Sequence, residues 1–171
     1  MIVIVSCRHF PDDERIYHRQ IKTLLKQNKF IRYFTRSYSD LDLSEPRLKH
    51  INSSGNLSLG SYSKQIILKL QASEVPLFFH IHEPELLSLA KSVKQQFNAT
   101  VIYDVHEDLD AMYRTFSQRS RLIKEASIYL KNFNEKRYLK FVDHIILANR
   151  PLKKTVYESK GFQPLVLENF P

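Results

Sequence analysis

Four of the seven histidines stand beside acids in three short clusters: Ser6-Cys7-Arg8-His9-Phe10-Pro11-Asp12-Asp13, His80-Ile81-His82-Glu83-Pro84-Glu85 and Asp104-Val105-His106-Glu107-Asp108. An imidazole exchanges its proton near neutral pH, and a nearby carboxylate decides which ring nitrogen carries it. Such clusters suit proton transfer, hydrogen bonding to polar ligands, or metal binding. His80 and His82 are two apart, so on a strand they share a face. With His106 and Glu107 they could form a His/carboxylate metal set. No His-Glu-x-x-His run and no cysteine pair fixes a ligand geometry, and the expectation is no metal. His80 also reads as a core histidine bonded to backbone.

Other chemistries are disfavoured by what the chain lacks. No glycine precedes Gly55, so neither a Gly-rich dinucleotide turn nor a phosphate-cradling P-loop can follow the first strand. Cys7 is the one cysteine; it excludes an internal disulfide and reads as a small buried residue more readily than as a nucleophile.

The elements that must position these clusters follow from periodicity. Ile2–Val5 is a β-branched run of strand length, as in a strand buried on both faces. Pro11-Asp12-Asp13-Glu14 opens a helix with Ile16, Ile21, Leu24 and Leu25 as its stripe. Strands follow at Phe30–Thr35, near Arg47–Ile51, and at Leu77–Ile81, Thr100–Tyr103, Asp143–Ala148 and Pro164–Leu167. Helices fall at Tyr62–Ala72, from Glu83 to about Phe97, at Arg119–Phe141 and at Pro151–Ser159. Residues 37–60 are the least regular part, and 109–120 reads as a further loop. Strands alternating with helical crossovers imply an α/β, Rossmann-like, doubly wound parallel sheet of about seven strands with helices on both faces. In such sheets ligands bind beyond the C-terminal strand ends, where all three clusters fall.

The 171 residues are 43% apolar and 26% charged, which is the composition of one globular domain. No apolar run reaches the length of a spanning helix, and the N-terminus lacks the basic flank of a signal peptide. A cytoplasmic location is the expectation. The net charge of +8 points to anionic partners. Tyr113–Lys140 carries eight cations against two acids, interleaved with aromatic and aliphatic residues, and could lie on an anionic membrane surface. Arg114, Arg119, Arg121 and Lys124 are its membrane-facing candidates. A solvated face over an ordinary core stripe fits the same pattern. No nucleic-acid motif accompanies the charge, and no nucleic-acid partner is expected.

Taken in order, Asp12-Asp13-Glu14-Arg15-Ile16, His80-Ile81-His82-Glu83-Pro84-Glu85-Leu86-Leu87, Ile102-Tyr103-Asp104-Val105-His106-Glu107-Asp108 and Glu168-Asn169-Phe170-Pro171 resemble the N-terminal half of a bacterial glycosyltransferase family 4 enzyme. Three positions depart from that pattern: Glu83 stands where Asp is common, Phe10 separates His9 from Pro11, and Glu168 precedes Asn169. The resemblance implies a GT-B architecture, in which two Rossmann-like domains face each other across a cleft. Residues 1–167 would be the acceptor-side domain and 168–171 the start of a linker to a C-terminal donor-binding domain.

The implied activity is retaining, metal-free hexosyl transfer from a nucleotide-sugar to a glycan or lipid-linked acceptor, in surface polysaccharide synthesis at the inner membrane face. His106 would be the catalytic residue. Arg8, His9, Asp12, Asp13, His82, Glu83, Glu107 and Asp108 would border the acceptor, with helix capping as the alternative role for Glu83 and Glu85 and a salt bridge for Arg15. The nucleotide-sugar is a co-substrate bound mainly by the other half, so this domain alone is expected to be inactive. In the family a closing C-terminal helix crosses back onto this domain, and without it a bared apolar patch would favour self-association. The alternative reading is a non-catalytic Rossmann-like partner subunit of a glycosyltransferase complex. A basic membrane- or nucleic-acid-associated module is the third.

Overall fold

The computed structural model describes every residue except 73–74, 107–108, 150–153 and 169–171. β1 (Ile2–Val5) leads to α1, which starts as a π-helical stretch (Glu14–Ile21) and runs on as an α-helix (Lys22–Lys26). β2 (Ile31–Ser37) and β3 (Leu48–Ser54) follow, then α2 (Leu59–Gln71) and β4 (Phe78–Ile81). A 3₁₀ turn (Pro84–Leu86) runs into α3 (Leu87–Phe97), and β5 (Thr100–Val105) comes next. The chain then forms α4 (Leu109–Phe116), α5 (Arg121–Leu139), β6 (His144–Leu147), α6 (Lys154–Glu158) and β7 (Leu165–Val166).

The seven strands form one sheet in the order β3-β2-β1-β4-β5-β6-β7, and every pairing is parallel. The expected doubly wound sheet is therefore present. Strand order reverses direction between β1 and β4, and their C-terminal ends are the crevice where such folds take ligands.

Several boundaries differ from expectation for local reasons. Pro11 stands in a turn, and α1 begins at Glu14 because the Asp13 side chain accepts from the backbone N–H groups of Arg15 and Ile16. Residues 109–116 are helical, not loop; α4 packs on α5 through an Asn132–Asp110 hydrogen bond and an Arg114–Glu125 ion pair. Asn28 and Asn98 adopt left-handed φ of 57° and 51° just after α1 and α3, as small polar residues that end helices do. The helix expected from Pro151 is seen from Lys154, its start lying outside the described residues.

Side chains alternate across the strands. Val3, Val5, Phe79, Ile81, Val101, Tyr103, Ile145 and Leu147 face one side and pack with α2 and α3 into the main core. Ile4, Ile31 and Tyr33 face the other side, where Ile16, Tyr17 and Ile21 of α1 cover them. The helices are thus unequally shared. On the α1 side, Phe78, His80, Ile102 and Ile146 of β4, β5 and β6 line an open groove of about 650 Å³ rimmed by Arg15, Arg19 and Lys29.

Candidate functional site

The three histidine clusters meet at the C-terminal edge of the sheet. Register explains why. β4 pairs β5 with His80 opposite Ile102 and Ile81 opposite Tyr103, so the next positions, His82 and Asp104, are neighbours on one face. His106 is two beyond Asp104 and keeps to that side. His9 arrives from the loop after β1. The rings of His80 and His82 are stacked at 4.5 Å, those of His82 and His106 stand edge-on at 5.0 Å, and His106 lies 4.8 Å from His9.

Asp104 anchors this run of imidazoles and is fully buried. Its Oδ1 accepts from Arg15 Nη2 at 2.8 Å, and its Oδ2 accepts from Arg15 Nε at 3.1 Å and Gln20 Nε2 at 2.6 Å. The same Oδ2 lies 3.6 Å from His106 Nε2 and 3.8 Å from both His80 Nε2 and His82 Nδ1. Burial alone would raise this carboxyl; the close approach of His106 and, at the low pH where the carboxyl would titrate, the charge the neighbouring rings then carry outweigh it and hold the carboxyl below the usual carboxylate range. The bidentate guanidinium acts in the same direction. Arg15 also donates from Nη1 to the Leu167 carbonyl at 2.8 Å, tying the chain beyond β7 to the site. The salt-bridge role expected of Arg15 is the one it plays.

Burial pushes His80 down to about 4 and His82 well below the ordinary histidine value, so both are neutral at pH 7. His80 is buried as expected of a core histidine, but its Nε2 has no hydrogen-bond partner among the described residues. His82 Nδ1 and His106 Nε2 share a 2.9 Å hydrogen bond.

Glu83 does something other than the helix capping expected of it: it makes no side-chain cap bond to the turn it precedes. Its Oε1 instead accepts from Ser6 Oγ (2.7 Å) and the backbone N–H groups of Cys7 and Arg8 (both 3.0 Å), stapling the β1 loop to β4. The Tyr62 hydroxyl donates to the Ser6 carbonyl at 2.9 Å, and Arg36 Nε donates to the Cys7 carbonyl at 3.3 Å, fixing the loop from α2 and β2. Burial pushes the Cys7 thiol far up, with the Glu83 and Glu85 charges adding to it, so Cys7 is a packing residue and not a nucleophile.

Above these groups is a hollow of about 130 Å³ bordered by Arg8, His9, His82, Glu83, Glu85 and His106. Of the expected acceptor-side residues, Arg8, His9, His82 and Glu83 line it. Arg8 pairs with Glu85 at its rim. Asp13 stands behind His9, accepting from or sharing a proton with His9 Nδ1 at 3.1 Å while it caps α1. Asp12 is exposed and does not line the hollow, because the turn before α1 directs it to solvent. Glu107 and Asp108 lie outside the described residues. Asp104 and Gln20 complete the site and were not among the candidates; the Asp-x-His spacing of Asp104 and His106 carried the signal for Asp104, whereas nothing local marks Gln20.

The metal question is settled by donors. Asp104, His80 and His82 offer ligand atoms within 4.8 Å of one another. Both Asp104 oxygens are already engaged by Arg15 and Gln20, and a dication would sit beside a buried guanidinium. The residues present do not fit a metal.

With this geometry in place, comparison adds the fold's relatives. The chain superposes on sucrose-phosphate synthase from Thermosynechococcus elongatus with a TM-score of 0.74 and 17% identity, covering 98% of this chain and 47% of that one. A shorter chain of the same synthase matches with a TM-score of 0.69 and 16% identity over 99% of this chain and 88% of that one. Os79 from O. sativa, solved in complex with UDP and deoxynivalenol-3-glucoside, matches with a TM-score of 0.58 and 10% identity over 97% and 52%. The chain has the fold of one Rossmann-like half of a GT-B glycosyltransferase. It spans about half the length of the full synthase chain. No protein-family model and no curated protein matches the sequence.

The basic segment is only partly as expected. Arg119 and Arg121 are exposed at the start of α5. Arg114 is held in a two-point pair with Glu125 (2.9 and 3.1 Å), and half-buried Lys124 donates to the Arg114 carbonyl at 2.9 Å. Two of the four cations are thus committed to bracing α4 on α5. Leu122 is 85% exposed beside them, with Tyr129, Leu130 and Phe133 further along the helix also exposed. No helix among the described residues is long and apolar enough to cross a membrane.

Proposed function

We propose that residues 1–167 are the acceptor-side domain of a retaining, hexosyl-transferring GT-B glycosyltransferase that uses a nucleotide-sugar donor. The observation that carries this reading is the His106–His82–Asp104 constellation at the topological switch point of a GT-B half. Its place is where this class of fold takes ligands.

The chemistry follows from the hydrogen bonds. Asp104 Oδ2 and His82 Nδ1 both face His106 Nε2, and the carboxylate favours the tautomer with its proton there. His106 Nδ1 is then the ring's acceptor nitrogen. In the hollow it can accept the hydrogen of a sugar hydroxyl and stabilise charge as the glycosidic bond at the donor breaks. Arg15 and Gln20 hold Asp104 in place and so act as positioning residues. His9, 4.8 Å away, forms the opposite wall. Nothing in this arrangement needs a metal, and the neutral His82 keeps the interior free of an unpaired cation.

The donor-binding groups of such an enzyme belong to a second domain. Titration calorimetry of this chain with UDP-glucose and other nucleotide-sugars is therefore expected to show no tight binding and no turnover. Submicromolar affinity would overturn this division of labour. The surface-polysaccharide role, the lipid-linked or glycan acceptor, and a cytoplasmic place at the inner membrane face are part of the same reading. The place at the membrane face is supported by the +8 charge and the exposed basic and apolar start of α5, the rest by the resemblance of the motifs alone.

A further inference from the structure

Glu83 has an oxygen to spare. Its side chain is 4% exposed, yet the stapling of the β1 loop uses only Oε1. Oε2 is buried, has no hydrogen-bond partner among the described residues, and belongs to a residue lining the hollow. A buried acceptor left unpaired is destabilising, and that cost is removed when a ligand donates to it. Glu85, across the same hollow, also has an unpartnered Oε2.

Arg8 pairs with Glu85, His9 with Asp13, and Arg15 with Asp104, while burial keeps His82 neutral. Among the lining charges, the Glu83 and Glu85 carboxylates stand against the one Arg8 guanidinium, with His9 Nε2 4.0 Å from Glu83 Oε1, so the hollow is locally acidic inside a chain whose net charge is +8. An anionic ligand group would meet the Glu83 carboxylate in a low-dielectric site. A volume of about 130 Å³ is some four times the ~30 Å³ share of a water molecule, room for one end of a pyranose and no more.

We propose that Glu83 is a specificity-determining residue: through Oε2 it accepts a hydrogen bond from the seated sugar and restricts the hollow to sugars that are neutral or carry an amino group, excluding uronic acids and sugar phosphates. This rests on the acceptor-domain reading and adds the substrate class to it. The staple and the selector are separable. Glu83→Gln keeps an Oε1 that can accept from Ser6, Cys7 and Arg8, but places an N–H₂ donor where Oε2 was.

The test is a set of NMR titrations of the ¹⁵N-labelled chain with methyl glucoside, glucosamine and glucuronate, wild type against E83Q. Thermal unfolding of both proteins checks that the staple survives. Wild type is expected to bind glucosamine and methyl glucoside at least about tenfold more tightly than glucuronate, and E83Q to lose that discrimination, with glucosamine weakened about tenfold. Saccharide binding without charge preference, or preference unchanged in E83Q, overturns the role of Glu83 and leaves the domain reading standing. Absence of binding by every saccharide overturns the domain reading, and this proposal with it. If E83Q unfolds, Glu83→Asp, which shortens the reach of the carboxylate, is titrated in its place with the same expected loss.

Discussion

His80 carries the clearest physical signature of any single residue. It sits on β4, buried on the α1 face of the sheet beside His82 and Asp104, and burial pushes it down to about 4 from the ordinary histidine value near 6.5. The unfolded chain therefore binds a proton between those two values that the folded chain does not. Stability falls as pH drops through that window. From pH 7 to pH 5 this one group is expected to cost about 2 kcal/mol of stability. Urea unfolding at the two pH values should show that loss, and His80→Leu should flatten it. An unchanged pH slope in H80L would mean that His80 is not the residue held neutral. His82 adds to the loss in the same direction, since burial lowers it too.

The elements divide the chain into a part whose role is internal and a part that faces outward. β1, β4 and β5 exist to bring His9, His82 and His106 to one edge, and β-branched and aromatic runs specify them plainly. α5 is different. It is 19 residues long, with only Ile128 and Leu139 buried, and its first turns present Arg121 and Leu122 to solvent. An amphipathic helix with cations beside exposed apolar side chains suits an anionic bilayer surface. Vesicles containing phosphatidylglycerol are expected to co-sediment with the chain, and phosphatidylcholine vesicles are not. The double variant Leu122→Ser, Leu130→Ser should weaken binding roughly tenfold, since both residues are exposed and each contributes apolar burial only at a membrane. Equal sedimentation with both lipids, or with neither, would assign these side chains to another partner.

Legibility also divides by element. Strands with period-two or fully apolar patterns, and helices with an apolar stripe, could be read locally because the signal lies within each segment. β3 and α4 were harder: β3 is an edge strand of mixed polarity, Leu-Lys-His-Ile-Asn-Ser-Ser, and α4 is held mainly by contacts with α5. The same distinction holds within the site. His9, His82 and His106 announce themselves by type and by position at strand ends. Glu83 was visible but its job was not, because the staple to Ser6, Cys7 and Arg8 spans 75 to 77 residues. Gln20 reaches Asp104 across 84 residues, a contact that depends on how α1 lies on the sheet.

At the scale of the whole molecule, the sheet carries its main core on one side and is covered only in part on the other. Parallel sheets are ordinarily buried on both faces. Here the α1 side leaves β4, β5 and β6 lining an open groove, with Phe78, Leu165 and Leu167 exposed near it. The histidine edge lies above that groove, so the two features present adjacent but distinct surfaces: an apolar one that invites another structural element, and a small polar one built for a ligand. The central claim concerns the second. Mapping amide shifts of the labelled chain with methyl glucoside tests it most directly. The shifted resonances are expected to cluster in three segments distant in sequence, around Arg8 and His9, His82 to Glu85, and Val105 and His106. Shifts confined to one of these segments, or to the residues of the sheet-face groove, would contradict it.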